Sequence, residues 1–81
     1  ERAAQDFDRS ITLDPEDGLT YIDRGYLFFN QGQLREAIDD FGSAISVNRN
    51  LTQAYANRAL AYSLLGDDVQ AEEDIVRALR R

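Results

Sequence analysis

The sequence predicts an all-α fold in which about five helices stack as antiparallel hairpins, and three observations carry this prediction. First, shifting the chain against itself by 34 places aligns residues 18–47 with residues 52–81. Second, apolar residues within each unit recur three and four places apart, which is the spacing of one helix face. Third, glycine or proline separates the helical stretches where hairpins have to turn.

The repeat preserves side-chain size even where it does not preserve identity. The identical pairs are Tyr21/Tyr55, Arg24/Arg58, Gly32/Gly66, Ala37/Ala71, Asp40/Asp74 and Ala44/Ala78. Similar residues are exchanged at Gly25/Ala59, Phe28/Tyr62, Phe41/Ile75 and Ile45/Leu79. The same shift places residues 3–13 on residues 37–47. We therefore expect one domain made of the second helix of a partial unit (1–17), a whole unit (18–51) and a second whole unit that lacks its last few residues (52–81).

Residues that stop and start helices divide each unit. The predicted helices cover about residues 2–13, 19–31, 34–47, 52–65 and 68–80. Pro15 ends the first helix, and Asp17 is a predicted N-cap of the second because its carboxylate can accept a backbone N–H. Gly32 and Gly66 are predicted to end the second and fourth helices in the left-handed conformation. Asn50 is a predicted N-cap of the fourth helix.

Composition and charge exclude several classes of function. Cysteine and histidine are both absent, which removes the thiol nucleophile, the usual general base and the commonest metal ligands. A net charge of −6 repels phosphate groups and anionic lipids. No apolar stretch approaches the ~18 residues of a membrane span. We therefore expect a protein that is not an enzyme, holds no cofactor or metal, binds no nucleic acid and does not insert into a membrane.

The repeated positions also follow a known pattern. Counted from Gly18 and Thr52, an aromatic residue stands at the fourth place, a small residue at the eighth, a glycine at the turn and an alanine at the twentieth. These positions resemble the tetratricopeptide repeat, a helix–turn–helix unit, over essentially the whole chain. The chain departs from the family at Arg49, where proline is expected, and in having Tyr21 and Tyr55 where the family has tryptophan. The resemblance implies an α–α superhelix with a concave groove that holds part of another protein.

The resemblance also implies which residues face that groove, on the first helix of each unit. The implied partner-binding residues are Leu19, Ile22, Asp23, Tyr26, Phe29 and Asn30 in the first whole unit, and Gln53, Asn57, Leu60 and Leu64 in the second, with Ala56 and Ser63 between them. The apolar members of the first set form one stripe, which favours docking of an apolar peptide or an amphipathic helix. In the alternative interpretation, Tyr26 and Phe29 pack within the solenoid or against a flanking segment.

Asn57 stands where many members of the family use asparagine to hold the backbone of a ligand. The alternative is that Asn57 is ordinary polar surface. Its counterpart Asp23 favours a basic or amide-donating ligand.

Members of the family that clamp a terminal carboxylate need lysine and asparagine at the places of Ile22 and Tyr26. Since all nine basic residues are arginine, the resemblance does not extend to that clamp.

Two recurring arginines, Arg24 and Arg58, are expected to pair with the recurring acids Asp6, Asp40 and Asp74. Such pairs would join helices within or between units, and the alternative is that the arginines bind a ligand. A surface pair contributes only about 0–1 kcal/mol.

The other acidic residues are expected to be unremarkable surface. The acidic runs at 39–40, 67–68 and 72–74 are predicted to be solvated faces of second helices, with a surface for a basic partner as the alternative. Residues 14–18 superficially resemble the start of a calcium-binding loop, but the glutamate at the twelfth place is missing. This segment is predicted to be a turn.

The functional expectation is a non-enzymatic scaffold that binds a peptide or helix of a partner protein in the groove. The alternative is a structural spacer or a homo-oligomerisation unit of a larger array. Self-association through uncovered terminal helices would suit this alternative, because no helix follows the apolar side chains of the last one, which are Val69, Ile75, Val76 and Leu79.

Overall fold

Five α-helices follow one another along the chain, and the computed structural model describes residues 2–80, with side chains from residue 7 onward. The helices are α1 (Arg2–Leu13), α2 (Gly18–Asn30), α3 (Leu34–Val47), α4 (Thr52–Leu65) and α5 (Asp68–Leu79). No strand occurs among these described residues. The all-α prediction is confirmed, and each predicted helix end lies within one residue of the observed one.

The start of α2 is fixed by Asp17, as the sequence predicts. Its Oδ1 accepts the backbone N–H of Leu19 at 3.1 Å, and its Oδ2 accepts the hydroxyl of Thr20 at 2.9 Å. A cap of this kind stabilises a helix by about 1 kcal/mol because it satisfies an N–H that has no partner within the helix. Pro15 lies in the preceding turn, where its missing N–H costs no helical hydrogen bond.

The ends of α2 and α4 depend on glycine. Gly32 has φ of 79° and Gly66 has φ of 87°, both in the left-handed region. A side chain is unfavourable in that region, whereas glycine enters it freely. Gly66 is the C-cap of α4, while Gly32 follows the C-cap of α2, Gln31.

The start of α4 differs from the prediction. The N-cap is Leu51, which makes no side-chain capping bond, so the prediction that Asn50 caps this helix is wrong. Asn48 forms the preceding turn instead, because its Oδ1 accepts the backbone N–H of Asn50 at 2.9 Å. Leu51 is partly buried against the core and packs closely over Gly18, where an added Cβ would lie 2.7 Å from Leu51 Cδ1. Apolar packing therefore decides which residue occupies the cap.

The helices pack in chain order, each against the next, and α2 also contacts α4. The central core cluster is contributed by α2, α3 and α4 and consists of Ile22, Ala37, Phe41, Ala44 and Ala54. Its alanines allow the helix axes to approach closely, while Phe41 fills the space between them. Besides Ala54, the buried apolar residues of the second unit are Tyr55, Ala59, Ala61 and Ala71.

The two units differ at one pair of packing positions, and only the first unit buries both residues of the pair. A Cβ added to Gly25 would lie 2.7 Å from Cε1 of Phe41, so the fully buried ring occupies the volume that an alanine would need. At the places 34 residues later stand Ala59 and Ile75. A larger residue on one helix thus accompanies a smaller one on its neighbour.

Each whole unit contains a bidentate ion pair between its two helices. Nε and Nη2 of Arg24 donate to Asp40 at 2.7 Å each. Nε and Nη2 of Arg58 donate to Asp74 at 2.8 and 2.9 Å. The hydrogen bond with Asp40 raises the pKa of Arg24 above its ordinary value against the opposing effect of burial, and the bond with Asp74 does the same for the pKa of Arg58. The predicted pairing is confirmed for these residues, while Asp6 lies outside the described side chains.

Two acids that the sequence assigns to solvated runs are in fact buried. Asp40 is 4% exposed and Asp74 is 0% exposed, so the prediction of solvated surface is wrong for both. Their neighbours Asp39 and Glu73 are exposed. The physical reason is that adjacent residues on a helix point about 100° apart, so one acid of a run meets an arginine while the next meets water.

A further ion pair joins the partial unit to the first whole unit. Nη1 of Arg24 donates to Oδ1 of Asp8 at 2.5 Å. The place 34 residues after Asp8 is occupied by Gly42. A Cβ on Gly42 would lie 3.5 Å from Nη1 of Arg58, which is an ordinary contact distance. The second interface between units therefore has the arginine but not the bridging carboxylate.

We expect Gly42→Asp to raise the free energy of unfolding by about 1 kcal/mol. Part of the gain comes from removing a glycine from a helix interior, and part, about 0–1 kcal/mol, comes from a new ion pair with Arg58. Urea unfolding followed by circular dichroism measures the change. Gly42→Asn is the matched control, because it has the same shape without the charge. If both variants are equally stable at low and high salt, no new ion pair forms.

Candidate functional site

An open cavity of about 570 Å³ is lined by side chains of α1, α2 and α4. We call it the α2–α4 cavity, and its lining residues are Phe7, Ile22, Asp23, Tyr26, Leu27, Gln53 and Asn57. Its volume falls within the range of about 300–1,000 Å³ that is usual for ligand sites. Most of the lining side chains belong to the set that the sequence assigned to partner binding.

Helical spacing brings these side chains to one place. Ile22 and Tyr26 are four residues apart on α2, and Gln53 and Asn57 are four apart on α4, so each pair shares a helix face. Because α2 contacts α4 directly, the two faces meet. Neighbouring positions on α2 serve the packing instead, as the close approach of Gly25 to α3 shows.

The floor of the cavity is apolar. Ile22 is only 5% exposed and belongs to the core cluster, while Phe7 and Leu27 are half-buried. At the rim, Tyr26 is 54% exposed, and its ring stacks parallel to that of Phe29 with 6.3 Å between centroids. Phe29 is half-buried and packs against the core. The internal-packing interpretation therefore describes Phe29, whereas much of Tyr26 faces solvent.

The polar side chains of the cavity are not engaged elsewhere. Gln53 and Asp23 are exposed and Asn57 is half-buried. None of the three makes a side-chain hydrogen bond with another residue between positions 7 and 80. An amide offers both a donor and an acceptor, so Gln53 and Asn57 can form hydrogen bonds with the main chain of a ligand.

Among the lining residues of the cavity that fall within positions 7–80, Asp23 is the one that carries a charge. The only cations on α2 and α4 are Arg24 and Arg58. Both are held by carboxylates and lie over aromatic rings, Arg24 over Phe28 at 5.8 Å and Arg58 over Tyr62 at 5.9 Å from the ring centroids. The cavity therefore presents a negative charge beside an apolar floor.

The remaining predicted residues lie apart from the α2–α4 cavity. Leu60 lines a second cavity of about 370 Å³ between α4 and α5, together with Ala56 and Ser63. Leu19, Asn30 and Leu64 are exposed and line neither cavity. Whether any of the predicted residues contacts a partner stays a prediction.

Two lining residues were missed at the sequence level. Phe7 aligns with Phe41, which is fully buried, and alignment alone assigns both to packing. Phe7 remains half-buried because α1 contacts only α2 among the described helices. Leu27 belongs to the apolar run at 26–29. This run indicates that more than one face of α2 is apolar, and it is the sequence feature that could have identified Leu27.

The described residues give no sign of metal chemistry or a membrane span. Of the residues 2–80 that the structure describes, those with described side chains (7–80) include no three acids that come together in a group able to hold a metal ion. None of the helices in that range has the length and apolar character required to cross a bilayer.

Known proteins contain the same repeat. A sequence profile described as "TPR repeat" matches residues 25–66, and one described as "Tetratricopeptide repeat" matches residues 52–81. Hsp70-Hsp90 organizing protein 1 of Arabidopsis thaliana is 36% identical to this chain over 66 residues, which are 82% of this chain and 12% of that protein. The likeness therefore concerns a small part of the plant protein.

Solved structures share the architecture. MamA superposes with a TM-score of 0.93 at 25% identity, over 95% of this chain and 45% of MamA. The second TPR of Spaghetti (RPAP3), bound to the HSP90 peptide SRMEEVD, superposes with a TM-score of 0.93 at 28% identity, over 98% of this chain and 73% of that one. The fold is thus an α–α superhelix. The similarity to these proteins supports a role as a protein-interaction scaffold and points to a non-catalytic module.

Proposed function

This chain belongs to the tetratricopeptide repeat family, and on that premise we propose that it binds a peptide or helix of a partner protein in the α2–α4 cavity. The observation that carries the proposal is the meeting of α2 and α4 side chains around one apolar floor with unengaged amides above it. The module acts by holding its partner and performs no chemistry on it.

The lining residues suggest how the ligand is held. Asn57 and Gln53 form hydrogen bonds with its main chain, which does not depend on the ligand's side chains. An apolar side chain of the ligand enters between Phe7, Ile22 and Leu27 and is removed from water. A bound HSP90 peptide in the second TPR of Spaghetti supports the choice of a peptide as the ligand class.

We further propose that the units run over residues 1–17, 18–51 and 52–81. The matching Arg24–Asp40 and Arg58–Asp74 pairs support this division, because each joins the two helices of one unit with the same atoms. On this division, each first helix contributes one side of the α2–α4 cavity.

Asn57→Ala is expected to weaken peptide binding about three- to tenfold, because one or two hydrogen bonds to the peptide main chain are lost. Peptides selected from a display library against this chain, labelled with fluorescein and titrated by anisotropy, provide the measurement. Asn30→Ala is the matched control, since Asn30 is exposed on α2 outside the cavity. An equal loss from both variants would place binding elsewhere.

The second candidate function is a spacer or self-association unit, and the apolar surface of α5 favours it. Val69 and Leu79 are exposed, and Ile75 and Leu79 line the second cavity with Leu60. Sedimentation velocity at increasing concentration separates the two functions. A concentration-dependent dimer that is unaffected by Asn57→Ala, in a chain that selects no peptide, would favour self-association.

A further inference from the structure

The charge of the α2–α4 cavity restricts the chemistry of what it can hold. We propose that the ligand is a basic–apolar peptide segment, in which an arginine or lysine stands next to an aliphatic residue and is bound by Asp23 at the rim. This inference rests on the proposed function and names the ligand class for the same site.

The first argument is the sign of the charge. Asp23 is exposed and forms no ion pair with any arginine between positions 7 and 80. Desolvating a single unpaired carboxylate under a bound peptide is unfavourable unless the peptide supplies a cation or a hydrogen-bond donor. The whole chain carries −6, which attracts a basic ligand and repels an acidic one.

The second argument is that neither arginine of α2 and α4 is available for an acidic ligand. The guanidinium of Arg24 is shared between Asp40 and Asp8, and that of Arg58 is held by Asp74. Releasing either one would leave a buried carboxylate without its partner, which costs several kcal/mol. The peptide SRMEEVD bound to the second TPR of Spaghetti contains two glutamates and an aspartate against one arginine, so its side chains carry a net negative charge. The α2–α4 cavity therefore suits a ligand of the opposite charge.

The third argument is the aromatic ring beside the carboxylate. Tyr26 follows Asp23 by three residues on α2, so the two share a helix face. The ring is largely exposed, although it stacks on Phe29. A carboxylate and an aromatic face one helical turn apart attract the same cation, the first by its charge and the second by a cation–π interaction. The apolar floor below, formed by Ile22 and its neighbours, receives the adjacent aliphatic side chain.

The test uses synthetic nine-residue peptides that differ at one position. Each has a central leucine in a Ser/Gly/Ala background, and the residue after the leucine is arginine, glutamine or glutamate. Anisotropy titrations at low and physiological salt measure the dissociation constants. We expect the arginine peptide to bind about three- to tenfold more tightly than the glutamine peptide, with a smaller difference at the higher salt, and the glutamate peptide to bind more weakly still.

Variants of the protein then locate the effect. Asp23→Asn should abolish the preference for arginine over glutamine, and Asp23→Arg should reverse it in favour of glutamate. Asp39→Asn is the matched control, because it removes the same net charge from an exposed residue outside the cavity and should keep the preference. All three variants should melt within a few degrees of the original chain, since neither aspartate takes part in an ion pair between positions 7 and 80.

The outcomes separate this inference from the proposed function. If the three peptides bind equally, or if Asp39→Asn removes the preference as Asp23→Asn does, the basic–apolar class is wrong while peptide binding in the cavity stands. If no peptide of the series binds and the display library yields none, both proposals fail.

Discussion

Asp74→Ala is expected to lower the free energy of unfolding by about 3–5 kcal/mol, the usual cost of removing one partner of a buried ion pair. Asp74 is completely buried and accepts hydrogen bonds from Arg58 and Arg77. Its removal leaves the largely buried guanidinium of Arg58 without a carboxylate. Urea unfolding monitored by circular dichroism gives the free energy directly.

Two controls show whether burial of the pair is the cause. Glu73→Ala removes the adjacent acid, which is exposed and lies 3.7 Å from Arg77, and should change stability by less than about 0.5 kcal/mol. Asp40→Ala removes the equivalent acid of the first unit but leaves Arg24 paired with Asp8, and should cost less than Asp74→Ala. If Glu73→Ala costs as much as Asp74→Ala, the buried pair is not what stabilises this part of the chain.

Phe41→Ala is expected to cost about 3–5 kcal/mol, because it opens a cavity at the centre of the core. Phe41 is fully buried among Ile22, Ala37, Ala44 and Ala54. Thermal and urea unfolding should both show the loss. A loss below about 1 kcal/mol would mean that the helices collapse around the missing ring.

The contact between Gly25 and Phe41 allows a sharper version of this experiment. Gly25→Ala alone should cost about 1–3 kcal/mol by overpacking against Phe41, and Phe41→Ile alone should leave unfilled space. The double variant reproduces the Ala59/Ile75 combination of the second unit. We expect it to be more stable than the sum of the single changes by about 1 kcal/mol, whereas additive losses would show that the two positions do not compensate for one another.

Much of the fold could be predicted from residues that act locally. Asp17 caps α2, and Gly32 and Gly66 take the left-handed conformation, as their chemical character suggests. The prediction that Asn50 caps α4 was wrong because a distant contact competes with local capping. Leu51 occupies the cap since its side chain packs against the core and over Gly18.

The candidate site was likewise predictable in part from the sequence, while the rest depended on contacts between helices. The repeat and the family resemblance predict Asp23, Tyr26 and Asn57 as partner-binding residues, and these three residues line one cavity. They do not predict Phe7, which remains half-buried and lines the cavity because its helix, α1, contacts only α2 among the described helices. The exposure of a side chain depends on how many helices surround it. The spacing of residues along the chain does not reveal how many there are.

The sequence by itself determined the helices, their order and the 34-residue period, because apolar spacing, caps and left-handed glycines are properties of neighbouring residues. The repeat also predicted that Arg24 and Arg58 pair with Asp40 and Asp74, whereas tertiary structure alone decided that these two acids are buried and that the pairs keep both guanidinium groups from a ligand. The reason is physical: Arg24 and Arg58 have the same identity and spacing whether paired or free, and only the approach of a second helix, with Asp40 or Asp74 on it, withdraws their charge from the cavity.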